Sequence, residues 1–265
     1  GGRPAKGSPA LASKTVDKNA RREAARRQAE ALRNQAKAQE RKQRWIIAII
    51  AVVVVGLLAV AGYIIWDSSQ RTLLSEFEGE IPAGSNEHGG IEVGAGGVGS
   101  PNEDASTVQV YLDFACPYCA QFEQVNGQDL QQMAADGEVT VAYHPVAFLG
   151  EYSLRAAAAM AAVADRSPEH MEDFTEHVFM NLDPNATDEQ LQEAARAVGV
   201  PDDVAATITD GEFTEWAETA SEQARRDGAR GTPSVAVDGT MLEPEQDDVN
   251  WLNAGELPEY LRAQG

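Results

Sequence analysis

The chain has 265 residues, with 21 Lys and Arg against 42 Asp and Glu and a formal net charge of −21. That length allows one medium domain plus appendages. The charge is split: residues 1–44 hold 13 Lys/Arg and 4 Asp/Glu, residues 45–265 hold 8 and 38, and no lysine follows Lys42. Nucleic-acid binding is a poor reading for such an acidic body, which would repel anionic partners and reads as a solvated surface.

Residues 1–44 form a basic tail rich in Ala, Arg, Gln and Lys. Residues 17–44 fit a basic helix near anionic lipid, but they carry no apolar face of any size. The tail is therefore expected to be disordered in isolation. The sequence does not open on Met, so its first residue need not be the protein's own.

Residues 45–66 (WIIAIIAVVVVGLLAVAGYIIW) are 22 residues without a charge, the length of a transmembrane helix. Trp45 at one end and Tyr63 and Trp66 at the other suit interfacial aromatic belts. Arg41, Lys42 and Arg44 precede the stretch and Asp67 follows it. The positive-inside rule then predicts a single-pass protein of the cell membrane, with the tail cytoplasmic and the acidic domain extracytoplasmic. Ala59-Val60-Ala61 also fits a signal-peptide cleavage site. The apolar run continues beyond it, and an uncleaved anchor is the expectation.

Residues 67–106 are expected to be a juxtamembrane spacer and linker. Asp67–Glu80 is the spacer, and 81–106 is rich in Gly, Pro, Ser and Asn. Gly90–Gly94 fits a short edge strand. The folded domain is expected over 107–265.

Thr107–Phe114 (TVQVYLDF) is β-branched and aromatic and predicts a buried strand. Ala120–Ala135 predicts a helix. Between them stands Cys116-Pro117-Tyr118-Cys119, which holds the only two cysteines of the chain. A strand-to-helix junction puts the first sulfur at a helix N-terminus, where unpaired N–H groups and the helix dipole favour a thiolate. Cys116 is thus the expected attacking thiol and Cys119, one turn on and facing inward, the resolving thiol. Pro117 fits a first helical turn. A zinc site would need two more ligands, and His88, His144, His170 and His177 show no finger spacing. Redox chemistry is favoured over a structural disulfide or half a metal site.

Glu138–Tyr143 alternates like a strand that His144-Pro145 ends. Helices follow over Tyr152–Ala164, Pro168–Leu182 with Ser167 as its N-cap, Thr187–Val198 with a Thr187/Gln190 capping pattern, Asp202–Ile208 and Phe213–Asp227. Ser234–Val237 and Thr240–Glu243 flank an Asp238-Gly239 hairpin turn. Leu257–Ala263 closes the chain as a helix. Met160, Met171, Met180, Phe174, Phe179 and Trp216 are candidate core. His144 is expected to be structural or exposed.

The stretch Tyr111–Cys119 (YLDFACPYC), the Thr232-Pro233 pair before a strand and the helical insertion between them resemble a thioredoxin-fold oxidoreductase of the DsbA-like family, in its membrane-anchored actinobacterial form. The resemblance covers roughly residues 90–263. It implies an α/β thioredoxin fold with an inserted helical subdomain at about 150–228, preceded by one transmembrane helix. It implies a cis proline at Pro233 beside a redox-active Cys116–Cys119 disulfide, with the Thr232 backbone available to a substrate strand. Cys116, Cys119, Thr232 and Pro233 are then the site residues, and no cofactor or metal is expected. The implied partners are secreted proteins with free thiols and a membrane reoxidase, DsbB-like or a vitamin K epoxide reductase homologue. Nucleic acid is not an expected partner.

In one respect the sequence departs from the family. Many thioredoxin-fold proteins carry a buried acid six residues before the first cysteine, and here that position is Val110. Asp113 is the nearest acid on the strand, either assisting proton transfer at Cys119 or capping the active-site helix. Three functions stay open: a donor of disulfides, a reductase or isomerase such as one serving cytochrome c maturation, and a non-catalytic binding module. The anchor and the insertion do not fit a small cytosolic glutaredoxin.

Overall fold

The structure, a computed structural model, describes residues 10–69 and 71–264. They fall into two units divided between Gln70 and Arg71.

The first unit is one helix, α1 (Ala10–Ser69). The part of the tail from residue 17 to residue 44, expected to be disordered, is helical here. Its Ala, Arg, Gln, Lys and Glu residues are all strong helix formers. Among the described residues one helix is long and apolar enough to cross a membrane; its candidate span, Leu32–Tyr63, contains an 18-residue stretch of mean hydropathy 2.9. Its charge-free part begins at Trp45, whose side chain is exposed like those of Ile46, Val52 and Leu57. Twenty-two residues of helix rise about 33 Å, which matches a hydrocarbon core of about 30 Å.

The second unit begins at Arg71. Its six-stranded sheet is built from β1 (Ile91–Gly94), β2 (Gly97–Val98), β3 (Ser106–Leu112), β4 (Val139–Pro145), β5 (Ser234–Val237) and β6 (Thr240–Met241), in the order β2-β1-β4-β3-β5-β6. β3 and β4 are parallel, joined through helix α2 (Pro117–Ala135), and the other pairs are antiparallel. Residues 71–106, expected as spacer and linker, are built into this unit instead. Leu74, Ile91 and Val93 are buried in its core. β1 is no edge strand: it lies between β2 and β4. Its short apolar alternation gave no hint of the two-residue partner that covers it.

The helices α3 (Glu151–Arg166), α4 (Met171–Asn181), α5 (Asp188–Ala197), α6 (Asp202–Ala205) and α7 (Thr214–Arg226) stand between β4 and β5. Two short helices, α8 (Pro244–Asp247) and α9 (Glu256–Gln264), follow β6. Thr187 and Gln190 form the expected reciprocal capping box on α5. Ser167 does not cap α4. Pro168–His170 is a 3-10 turn, and the Ser167 hydroxyl meets His170 Nδ1 at 2.9 Å instead. Asp238 and Gly239 both have positive φ, 49° and 80°, the pattern of a type I′ turn.

α2 ends where its sequence demands it. Gly137 takes φ 79°, its N–H reaches Ala134 O, and the Glu138 N–H reaches Met133 O. That pair of bonds is a Schellman motif, which glycine enters without a Cβ penalty. Val108, Val110 and Leu112 of β3 share the main core with Phe122, Leu130 and Met133 of α2. The alternate residue Tyr111 packs with Ala224 of α7 and Ala236 of β5 on the other face. Trp216, Phe174, Phe179, Met160 and Met171 are buried as expected, but Met180 is exposed near the end of α4.

Candidate active site

β3 stops at Leu112, two residues short of the apolar run, because Asp113 turns the chain. The Ala115 N–H donates to Asp113 Oδ1 at 2.8 Å and the Cys116 N–H to Asp113 O at 2.9 Å. This is an Asx-type turn closed by the side chain. Cys116 then sits in extended geometry as the N-cap of α2, with Pro117 in the first turn. The N–H groups of Cys119 and Ala120 return to Cys116 O at 3.0 and 3.3 Å.

Both cysteines are present as thiols. Cys116 keeps 7% of its surface and Cys119 keeps none, so an incoming thiol can reach only the first. The Cys116 thiol donates to Thr232 O at 3.3 Å, and the Thr232–Pro233 peptide bond is cis. The Asp113 N–H donates to Cys119 Sγ at 3.4 Å. Burial pushes the Cys119 thiol well above its ordinary range, with the Asp113 N–H working against it. The structure thus places Cys116, Cys119 and Thr232 together with Pro233 immediately after them. Tyr118, between the cysteines, is 59% exposed.

The carboxylate of Asp113 is fully buried. Besides Ala115, Ser153 donates to its Oδ1 at 2.6 Å, and the N–H groups of Phe148 and Leu149 donate to its Oδ2 at 2.8 and 3.0 Å. No hydrogen bond joins it to either sulfur among the described residues. Asp113 thus closes the turn that precedes α2 and does not cap the helix: the N-cap is Cys116, and no side chain caps it.

Val110 is buried against α2, without a polar group at that strand position. A buried acid occurs elsewhere: Glu123 of α2, one turn after Cys119, is 4% exposed. Its Oε2 has no hydrogen-bond partner. Burial, then Glu176 and Glu172, push its carboxyl up to about 8. Sequence reasoning missed Glu123. The i, i+4 spacing from Cys119 would have placed both on one helix face.

His144 lies within β4, next to its last residue, and is buried rather than exposed. It pairs in register with Tyr111 and stacks on its ring at 4.3 Å. Burial lowers its pKa to about 3, so it is a neutral core histidine.

A thioredoxin family model matches residues 98–254. The chain belongs to the thioredoxin family. Among solved structures, the thiol-disulfide oxidoreductase MdbA of Actinomyces oris matches with a TM-score of 0.58 and 24% identity, over 73% of this chain and 94% of that one. The disulfide bond oxidoreductase DsbG of Mycobacterium tuberculosis matches with a TM-score of 0.51 and 28% identity, over 60% and 82%. Both of these structural neighbours are thiol-disulfide oxidoreductases by description. A curated relative, the serine/threonine-protein kinase PknE of Mycobacterium tuberculosis, is 30% identical over 165 residues. The match covers 56% of this chain, which spans only 29% of the kinase's length.

Proposed function

We propose that this protein is a membrane-anchored extracytoplasmic thiol:disulfide oxidoreductase that donates the Cys116–Cys119 disulfide to folding secreted proteins. The observation that carries the proposal is the asymmetry of the two sulfurs. One is a slightly exposed N-cap of α2 beside the Thr232 carbonyl, and the other is wholly buried behind it.

The steps follow from that asymmetry. In the oxidised protein a substrate thiolate attacks Cys116 Sγ. The Cys116–Cys119 bond breaks, Cys119 leaves with the electron pair, and a mixed disulfide forms on Cys116. Burial strongly favours the thiol form of Cys119, so its sulfur takes up a proton. A second substrate thiolate attacks the substrate sulfur of the mixed disulfide, and Cys116 leaves. Two thiols of the substrate are oxidised to one disulfide, and the enzyme gains two electrons. A membrane reoxidase, DsbB-like or related to vitamin K epoxide reductase, takes those electrons back. The charge step across residues 45–66 supports a cytoplasmic tail and an outer domain. Protease added to intact spheroplasts should digest the acidic unit and spare the tail; the opposite pattern would reverse the topology.

The full chain in detergent, oxidised beforehand, is expected to form disulfides in a reduced unfolded protein. Its pair should equilibrate with glutathione at a potential above the roughly −270 mV of thioredoxin. No disulfide formation above the uncatalysed rate, or a potential at or below that value, would overturn the oxidase reading.

A further inference from the structure

Asp113 engages three parts of the molecule at once. Its backbone N–H reaches the Cys119 sulfur and its carbonyl accepts from the Cys116 N–H. One carboxylate oxygen, Oδ1, holds the Ala115 N–H of the redox turn and the Ser153 hydroxyl in the first turn of α3. The other, Oδ2, holds two consecutive N–H groups, Phe148 and Leu149, 35 and 36 residues away. All four partners of the carboxylate are donors, so an acceptor-only group fits and an amide would not. No cation pairs with it among the described residues.

The segment that Oδ2 holds is not an inert loop. Leu149 is 58% exposed, and the Phe148 ring lies 4.3 Å from the Arg225 guanidinium. Ala147, just before, is tied to α7 by its N–H, which donates to Ser221 Oγ at 2.8 Å. Gly150 follows at φ 127°, a backbone state open to glycine. The segment is therefore a short bridge pinned at Ala147 and at Asp113, and it carries an exposed apolar side chain, Leu149.

We propose that Asp113 is a positioning residue that fixes residues 148–150 relative to the sulfur of Cys116, so that an extended protein substrate meets both together. The proposal rests on the oxidoreductase reading above. A small thiol needs only the Cys116 sulfur. A polypeptide thiol must also lie across the surface around it, and it gains from a fixed distance between Leu149 and the sulfur. Attack geometry is sensitive to misplacement on the ångström scale. Loss of the tie should therefore penalise protein substrates and largely spare small ones.

The test compares two substrates in the full-length protein in detergent. Asp113→Asn places an NH2 against donors on one side or the other, so at least one tie breaks. We expect kcat/KM for oxidising a reduced unfolded protein to fall by about tenfold or more, while the rate with reduced glutathione falls by less than about threefold. Ser153→Ala keeps the carboxylate and removes one donor; it should show the same split at about a third of the size. If Asp113→Asn does not fold, the Ser153→Ala split decides. Equal losses on both substrates, or no loss on either, overturn the positioning role. Wild-type protein inactive toward both substrates would instead overturn the oxidoreductase reading itself.

Discussion

Two buried carboxyl groups flank the start of α2, and the structure treats them oppositely. Asp113, before the helix, meets four donors with its two oxygens. Glu123, seven residues after Cys116, leaves Oε2 without a partner and faces two further acids, Glu172 and Glu176. A fully partnered buried carboxylate fixes geometry, whereas an unpartnered one carries an unfavourable desolvation cost that protonation relieves. The redox end of the helix is thus held in place, and its middle is sensitive to pH.

The largest effect should appear at the held end, and the two sulfurs there should respond differently. Cys116→Ser removes the one sulfur an incoming thiol can reach, so disulfide transfer to a protein substrate is expected to vanish. Cys119→Ser leaves the reachable sulfur but no internal partner. Cys116 should then be recovered in long-lived mixed disulfides, visible on non-reducing gels and lost on adding reductant. Turnover retained in Cys116→Ser, or adducts trapped equally by both variants, would sink the asymmetric assignment.

A smaller but still large effect is expected from Asp113→Leu on stability. The substitution leaves the N–H groups of Ala115, Phe148 and Leu149 and the Ser153 hydroxyl without their acceptor. Leaving a buried charge-assisted network half made costs on the order of 3–5 kcal/mol. Denaturant unfolding of the full chain checks this. A loss below about 1 kcal/mol would show that the loop relaxes to find other partners, and the contrast with Glu123 would weaken.

Much of this contrast was legible in the sequence, but only on one side. The strand–Cys-x-x-Cys–helix junction follows from local composition, and so do the Thr187 capping box and the Asp238-Gly239 turn. Each depends on residues a few positions apart. What could not be read were contacts between distant segments. Asp113 could be placed at the strand end, but nothing local to it shows that Phe148 and Leu149 supply its donors. Residues 81–106 read as linker because they are rich in Gly, Pro, Ser and Asn, and the stretch before them read as a spacer. The anchors Leu74, Ile91 and Val93 are too sparse to form a periodic signal, yet they fill the core. Glu123 could be placed on the Cys119 face of α2 by its i, i+4 spacing, but its burial depends on α4 packing over that face, which helix α2 alone does not show.

The last prediction concerns the pH-sensitive side. The Glu123 carboxyl sits at about 8 in the folded protein against an ordinary 4.5, first because of burial and then because of Glu176 and Glu172. Between those two values the folded chain holds a proton that the unfolded chain has released. Stability must therefore fall as pH rises across that window; the contribution is fully present below about 4.5 and lost through about 8. Glu123→Gln keeps the shape and removes the titration. At pH 5 the two proteins should have similar stability, and at pH 8.5 the variant should be the more stable by on the order of a few kcal/mol. Glu172, also raised by burial, adds a slope of the same sign. His144, held near 3, adds the opposite slope below its ordinary 6.5. Both remain in the variant, so the difference between the two proteins reports Glu123 together with its coupling to Glu172 and Glu176. Unfolding curves at several pH values provide the measurement. Parallel stability profiles for wild type and Glu123→Gln would mean that the carboxyl finds a partner when ionised, and the two acids flanking the start of α2 would then be alike.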